Sequence, residues 1–149
     1  MNDPDLWRDT PATRGGCQCG AVRYDISAGP TKATLCHCRM CQRAMAAPFA
    51  AFLEIPQDRI IWHGTPVRFA SSNRADRGFC GTCGTPLFFN FHDSDSIEIT
   101  AATLPADFSY TPIRQHGVDS RCPWLAGLND LPQIETYSTG VISNQTFEK

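Results

Sequence analysis

The chain has 149 residues, an ordinary length for one domain, and 42% of them are hydrophobic. Thirteen Lys and Arg residues against fifteen Asp and Glu residues give a formal net charge of -2, with no basic stripe along the sequence. This composition excludes a largely disordered chain and argues against nucleic acid as the partner.

The start of the chain is polar. It carries Asp3, Asp5 and Asp9 and lacks the apolar run of a signal peptide. No stretch approaches the ~20 apolar residues that a membrane helix needs. We therefore expect a cytoplasmic protein with no membrane partner. Its eight cysteines should then be reduced, which favours metal binding, although an even number would also suit a disulfide framework in an exported protein.

The first elements are short. Residues 1–14 predict a flexible N-terminal extension, and residues 15–149 predict a single domain. Residues 21–26 alternate between apolar and polar side chains, which predicts a strand that ends at residues 28–30. Residues 42–47 predict one or two turns of helix, with Pro48 as the stop.

The rest of the pattern is typical of strands. Residues 49–55 form a short apolar run that predicts a buried strand, and residues 59–63 and 67–70 flank Gly64-Thr65-Pro66, which predicts a hairpin. Further strands are predicted at 86–91, 96–101 and 113–118, with a turn at 104–107 and a polar tail after Glu135. Many short strands with little helix predict an all-β domain of mostly antiparallel sheets.

Seven of the eight cysteines lie in three groups: Cys17 and Cys19; Cys36, Cys38 and Cys41; Cys80 and Cys83. In an extended C-x-C segment both sulfurs point to one face, and in C-x-x-C a tight turn returns the second sulfur to the same ion. These spacings are typical of zinc. The first and last pairs together would complete a structural site of four thiolates, which predicts a zinc-binding domain with two ions per chain.

The middle group offers three sulfurs, from Cys36, Cys38 and Cys41. Three protein ligands with an open fourth position are typical of a catalytic zinc ion. The alternative is a second structural site that a further residue completes: His37, His63, His92, His116 or Cys122. Spacing alone also allows the pairs Cys17/Cys19, Cys36/Cys38 and Cys80/Cys83 to exchange between the two ions.

Three motifs in this order resemble the glutathione-dependent formaldehyde-activating enzyme family, which includes centromere protein V. They are GGCQCGAVRY from Gly15, CHCRMCQR from Cys36 and FCGTCGTPL from Phe79. Residues 116–120, 123–124 and 130–132 are similar as well, so the resemblance covers about residues 15–135. Ala46 departs from the pattern, because the family usually has glycine there.

The resemblance implies a twisted, mostly antiparallel β-tent fold with two zinc sites. It implies that Cys17, Cys19, Cys80 and Cys83 hold a structural zinc ion and that Cys36, Cys38 and Cys41 hold a catalytic one. The implied activity is that of a carbon–sulfur lyase. Its substrates would be adducts of small aldehydes with glutathione or a related thiol, such as S-(hydroxymethyl)glutathione.

Substrate contacts can be predicted only as candidates. Glutathione carries two carboxylates, which favours arginine, and Arg39 and Arg43 flank the three-cysteine turn. His116 is a further candidate for substrate binding or acid–base work, and Arg74, Arg77 and Arg114 are additional cations. The alternative function is a non-catalytic zinc-binding module that binds a thiol metabolite or a protein partner.

Overall fold

The computed structural model describes residues 6–136 and 140–146. Eleven strands lie within them: β1 (Arg8–Thr10), β2 (Thr13–Gly16), β3 (Arg23–Ile26), β4 (Gly29–Cys36), β5 (Ala50–Pro56), β6 (Ile60–His63), β7 (Val67–Ser72), β8 (Ala75–Phe79), β9 (Pro86–Phe91), β10 (Ser96–Thr100) and β11 (Arg114–His116). The described part of the chain has one α-helix, α1 (Arg39–Met45), and short 3₁₀ segments at Gln57–Arg59, Ala101–Thr103, Val118–Ser120 and Pro123–Asp130.

The strands form two sheets. The larger has the order β1-β4-β5-β10-β9-β8-β7, and β11 joins the same edge of β4 as β1. The smaller has the order β2-β3-β6. The β11–β4 pair is parallel and the other recorded pairs are antiparallel. The prediction of a mainly β, mostly antiparallel fold with little helix is confirmed.

The two faces of the large sheet have different roles. One face packs against the small sheet, and the fully buried core includes Tyr24, Ile26, Leu53, Ile55, Ile97 and Ile99. The alternate residues of the same strands point to the opposite face, since the side-chain period of a strand is two. Cys36, Phe52 and Glu98 lie on that second face, where α1 covers part of it. The sheet thus separates a hydrophobic core from a candidate site.

The predicted hairpin at residues 59–70 is wrong. The strand β6 pairs with β3 in the small sheet, and β7 pairs with β8 in the large sheet. The loop between β6 and β7 therefore connects two different sheets and does not join two paired strands. Within this loop Gly64 has a φ of 88° and packs against the Ala21 carbonyl. The predicted strand at residues 21–26 does end before residues 28–30, since β3 is Arg23–Ile26, and a new strand, β4, begins at Gly29.

The N-terminal segment contributes strands. β1 pairs with β4, and β2 pairs with β3, so secondary structure begins before residue 15. The division into a flexible extension and a domain from residue 15 stays a prediction. Residues 1–5 of that extension, and 137–139 and 147–149 of the predicted polar tail, lie outside the described residues. None of the helices in the described ranges is long and apolar enough to span a membrane.

Candidate functional site

The first cysteine group joins the two sheets. Cys17 and Cys19 follow β2, and Cys80 and Cys83 follow β8, yet the four Sγ atoms lie within 4.8 Å of one another. The Sγ of Cys19 is 3.6 Å from that of Cys17 and 3.8 Å from that of Cys80. A tetrahedral shell with zinc–sulfur bonds of about 2.3 Å places its sulfurs about 3.8 Å apart. The residues therefore fit a closed four-thiolate metal site.

The backbone around this group supports anionic sulfur. The amide of Val22 donates to Cys17 Sγ at 3.3 Å, and the hydroxyl of Thr85 lies 3.1 Å from Cys83 Sγ. Cys17 and Cys80 are almost completely buried. Gly84, with a φ of 76°, closes the second knuckle by donating its amide to the Cys80 carbonyl at 2.9 Å. The Val22 amide and the Thr85 hydroxyl, which contact sulfur directly, stabilise thiolates, and the thiolate is the form of cysteine that binds metal.

The second cysteine group lies at the junction between β4 and α1. Cys36 ends the strand, Cys38 caps the helix and Cys41 lies in its first turn. Their three Sγ atoms also lie within 4.8 Å of one another, with 3.4 Å between Cys36 and Cys38. The Cys38 sulfur accepts the amide of Cys41 at 3.4 Å, so the helix N-terminus itself orients two of the three sulfurs.

Contacts from β11 and α1 hold this loop in place. The amide of His37 donates to the His116 carbonyl at 2.8 Å, and buried Gln42 donates through Nε2 to the carbonyls of His37 and Ser120 at 2.7 and 2.9 Å. A Cβ on Gly117 would lie 2.7 Å from the Cys38 nitrogen, so only glycine allows the β11 segment to approach this closely.

A buried cation lies beside the three-cysteine group. Arg77 donates an Nη2 hydrogen bond to Cys41 Sγ at 3.2 Å and another from Nε to Ser71 Oγ at 3.0 Å. Its guanidinium lies 4.7 Å from the ring centroid of Phe89. The pKa of Cys41 is lowered to about 5, first by its hydrogen bond with Cys36 and then by Arg77, against the effect of burial. Arg77 therefore favours a thiolate at this position.

The three-cysteine group opens onto a cavity of about 400 Å³, which Cys36, Cys38 and Cys41 all line. Much of its wall is aromatic, from Phe52, Phe89 and Phe91. An adjoining cavity of about 320 Å³ contains Lys32, Glu54 and Arg114. Four residues line both cavities: Phe89, Phe91, Glu98 and His116. The cysteine cavity is therefore apolar at its walls and polar at the boundary with its neighbour.

The predicted substrate-binding residues separate in the structure. His116 lines the cysteine cavity, and its pKa is lowered by desolvation and by the positive charges of Arg114 and Lys32. Arg39 is exposed and donates to the side chain of Gln42 at the start of α1. Arg43 is also exposed and lines a different cavity, next to Met45 and Phe79.

Alternative fourth ligands for the three-cysteine group do not join it among the described residues. His37 is buried and pairs through Nε2 with Gln115 at 2.9 Å. His63 contacts Asp25 at 2.6 Å, and His92 contacts Asp76 at 3.0 Å. The structure brings the seven cysteines together as one group of four and one group of three, with Cys17 and Cys19 beside Cys80 and Cys83.

Sequence analysis missed Glu98. It lies in the strand predicted at residues 96–101, and a strand pattern by itself does not show which of its polar side chains faces a cavity. The structure places this carboxylate in the wall of the cysteine cavity. One sequence signal could have indicated a polar site on this face. Glu54 is a charged residue within the otherwise apolar run 49–55, and it lies opposite Glu98 in the sheet.

The fold and the two cysteine groups define a class of protein: a mainly β domain with one group of four and one group of three cysteines, each of which could hold a metal ion. The family model described as glutathione-dependent formaldehyde-activating enzyme matches residues 12–116. The chain therefore belongs to this family.

Two curated relatives and one solved structure are similar to the chain. An uncharacterized lyase of Schizosaccharomyces pombe is 32% identical over 81 residues, which cover 54% of this chain and 59% of that protein. A protein of Halomonas elongata, named as a candidate glutathione-dependent formaldehyde-activating enzyme, is 28% identical over 112 residues, covering 68% and 71%. A crystal structure of a Rhodobacter sphaeroides protein has a TM-score of 0.49 at 19% identity, covering 68% of this chain and 98% of that one.

Proposed function

We propose that the protein is a zinc-dependent carbon–sulfur lyase that acts on adducts of small aldehydes with glutathione or a related thiol, such as S-(hydroxymethyl)glutathione. Family membership and the names of both curated relatives support this reaction class. The observation that carries the proposal is a group of three sulfurs that opens onto a cavity instead of being closed by a fourth protein ligand among the described residues.

The two cysteine groups would hold one zinc ion each. Cys17, Cys19, Cys80 and Cys83 would form the structural site, because four thiolates complete a tetrahedral shell. Cys36, Cys38 and Cys41 would form the catalytic site. When bound there, zinc supplies an open position that lowers the pKa of an incoming thiol.

The protein's own residues would prepare the reacting end of the substrate. Phe52, Phe89 and Phe91 give the cysteine cavity an apolar part of its wall, which suits the small carbon of an aldehyde adduct. Arg77 balances part of the negative charge of three thiolates through Cys41. His116 lines this cavity and would contact the substrate there. Arg39 and Arg43 remain predicted contacts for the glutathione carboxylates, from the exposed side of α1.

The test is exchange spectroscopy by NMR on a mixture of formaldehyde and glutathione, with and without zinc-loaded protein. We expect the protein to accelerate exchange between free glutathione and its hydroxymethyl adduct. The control variant Cys38→Ser leaves all four cysteines of the other site in place and should lose the acceleration. An unchanged exchange rate at stoichiometric wild-type protein would contradict the formaldehyde reaction.

The same measurement separates the second candidate, a non-catalytic module that binds a thiol metabolite. That function is favoured by a cavity that could accept a thiol without further chemistry. It would shift or broaden the glutathione signals while the exchange rate stays at its value in buffer. A protein partner would leave both the signals and the rate unchanged.

A further inference from the structure

Glu98 occupies the middle of a row of side chains across the large sheet. The register places Lys32 of β4 opposite Glu54 of β5, Glu54 opposite Glu98 of β10, and Glu98 opposite Phe89 of β9. Phe89 in turn lies opposite Arg77 of β8. Directly opposed residues share a face of the sheet, so this row crosses the face that carries the three-cysteine group.

The two glutamates of the row have different environments. Glu54 forms an ion pair with Lys32 at 2.5 Å and accepts a hydrogen bond from Ser96 Oγ at 2.8 Å. Glu98 makes neither a hydrogen bond nor an ion pair with any residue in the part of the chain that the structure describes. Glu98 is nevertheless partly buried, and it lines both the cysteine cavity and the adjoining charged one.

A carboxyl group held in a cavity without a structural partner is available to a ligand. At this point the ligand would be the oxygen of an aldehyde adduct, because the three sulfurs line the same cavity. Making the carbon–sulfur bond turns a carbonyl oxygen into a hydroxyl, which requires one proton. Breaking the bond requires that a base remove the same proton.

We propose that Glu98 is the acid–base residue of the lyase, an assignment that rests on the proposed function. In the direction of synthesis the thiolate sulfur forms a bond to the carbonyl carbon, and the π electron pair moves to oxygen. That oxygen takes the proton of the Glu98 carboxyl group. The resulting carboxylate takes up the proton that the next thiol releases. In the reverse direction Glu98 removes the hydroxyl proton as the carbon–sulfur bond breaks.

The charges around Glu98 suit this role. Burial, then the negative charges of Glu54 and Cys41, raise its pKa to about 7, against the opposing effects of Lys32 and Arg77. The remaining basic side chains along the two cavities are Arg74, Arg114 and His116. An acid whose pKa lies near the working pH can both donate and recover a proton. His116 is less suited to donate, because desolvation and the positive charges of Arg114 and Lys32 lower its pKa.

The test compares exchange rates of the zinc-loaded wild type, Glu98→Gln and the control Glu135→Gln, at an exposed glutamate that lines neither cavity, after equal zinc content is confirmed for all three. Glu98→Gln should slow exchange by about 100-fold, a typical contribution of one proton-transfer group. Glu135→Gln should stay close to the wild-type rate. The ratio of the wild-type to the Glu98→Gln rate should fall as pH rises through about 7, because the acid form is lost.

A second measurement does not depend on turnover. Glu98 is one of four glutamates in the chain, so ¹³C NMR of protein labelled at the glutamate carboxyl carbon resolves few signals. One signal, absent from Glu98→Gln, should titrate near pH 7. A Glu98 signal that titrates below pH 5 would overturn the proposal, and so would an unchanged exchange rate in Glu98→Gln. A wild type that does not accelerate exchange would instead contradict the proposed function, and the role of Glu98 with it.

Discussion

Arg77 shows how a single side chain connects the sheet to the candidate centre. It is 7% exposed, and its guanidinium reaches Cys41 Sγ, Ser71 Oγ and the face of Phe89 at once. A buried cation in this position offsets the mutual repulsion of three thiolates. Groups that contact metal ligands in this way orient them and tune their affinity for the metal.

Replacing Arg77 by methionine should therefore weaken zinc binding at the three-cysteine site by about 10- to 100-fold, while the four-cysteine site is unaffected. Methionine keeps an apolar stem over Phe89 and removes the charge. The measurement is competition with a chelator, read as zinc ions retained per chain by native mass spectrometry. Arg77→Lys retains the charge and should lose less affinity. Equal retention in the wild type and the methionine variant would contradict this role.

At the same scale, the sequence predicts ligands better than it predicts their surroundings. The cysteine spacings carry the chemistry of the ligands directly, so all seven could be proposed. The roles of Arg77 and Glu98 depend on which strands are neighbours, and Glu98 faces the cysteines only because β10 lies between β5 and β9. No local pattern contains that information.

At the scale of elements, α1 illustrates how a site and a helix share residues. The sequence predicted a helix over 42–47, whereas α1 is Arg39–Met45. The sequence does not indicate the start of α1, because the N-cap residue is Cys38, whose sulfur takes the place of the usual Ser, Thr, Asp or Asn oxygen. The end was missed because Ala46 adopts the left-handed conformation, with φ 49° and ψ 39°, that usually requires glycine. The helix is therefore placed by the cysteine turn.

The left-handed conformation of Ala46 at the end of α1 predicts that a glycine at this position makes the protein more stable. Ala46→Gly should raise the free energy of unfolding by about 0.5–1 kcal/mol, because glycine adopts the left-handed conformation without the cost of a Cβ. Ala44→Gly, inside the same helix, should lower it by about 1 kcal/mol. Urea denaturation of the zinc-loaded proteins measures both. A loss of stability in both variants would show that Ala46 is not strained.

At the scale of the whole molecule, the four-cysteine group ties the small sheet to the large one. Its first pair follows β2 of the small sheet, and its second pair follows β8 of the large sheet. The three-cysteine group lies on the opposite face of the large sheet, away from the core shared by the two sheets. The sequence predicted the number and kind of strands, but the wrong hairpin shows that it did not divide them between sheets.

Because the four-cysteine group joins the two sheets and the three-cysteine group does not, cysteine substitutions in the two groups should affect stability differently. Cys80→Ser should lower the free energy of unfolding by about 4 kcal/mol when free zinc is about 1,000-fold above its dissociation constant, because metal binding contributes to folding at that site. Cys38→Ser should keep the wild-type fold and retain one zinc ion. Circular dichroism, urea denaturation and native mass spectrometry give these results. Equal unfolding of both variants would mean that both sites are structural.

The proposed lyase activity depends most on the ability of the three-cysteine group to bind the thiol of a substrate. The direct measurement is optical titration of cobalt(II)-substituted protein with glutathione, since cobalt occupies tetrahedral thiolate sites and each added thiolate strengthens its sulfur-to-metal absorption. We expect the absorption to rise and saturate in the wild type, and to stay constant with S-methylglutathione, which has no thiol. An absorption that glutathione leaves unchanged would contradict the open position and the lyase built on it.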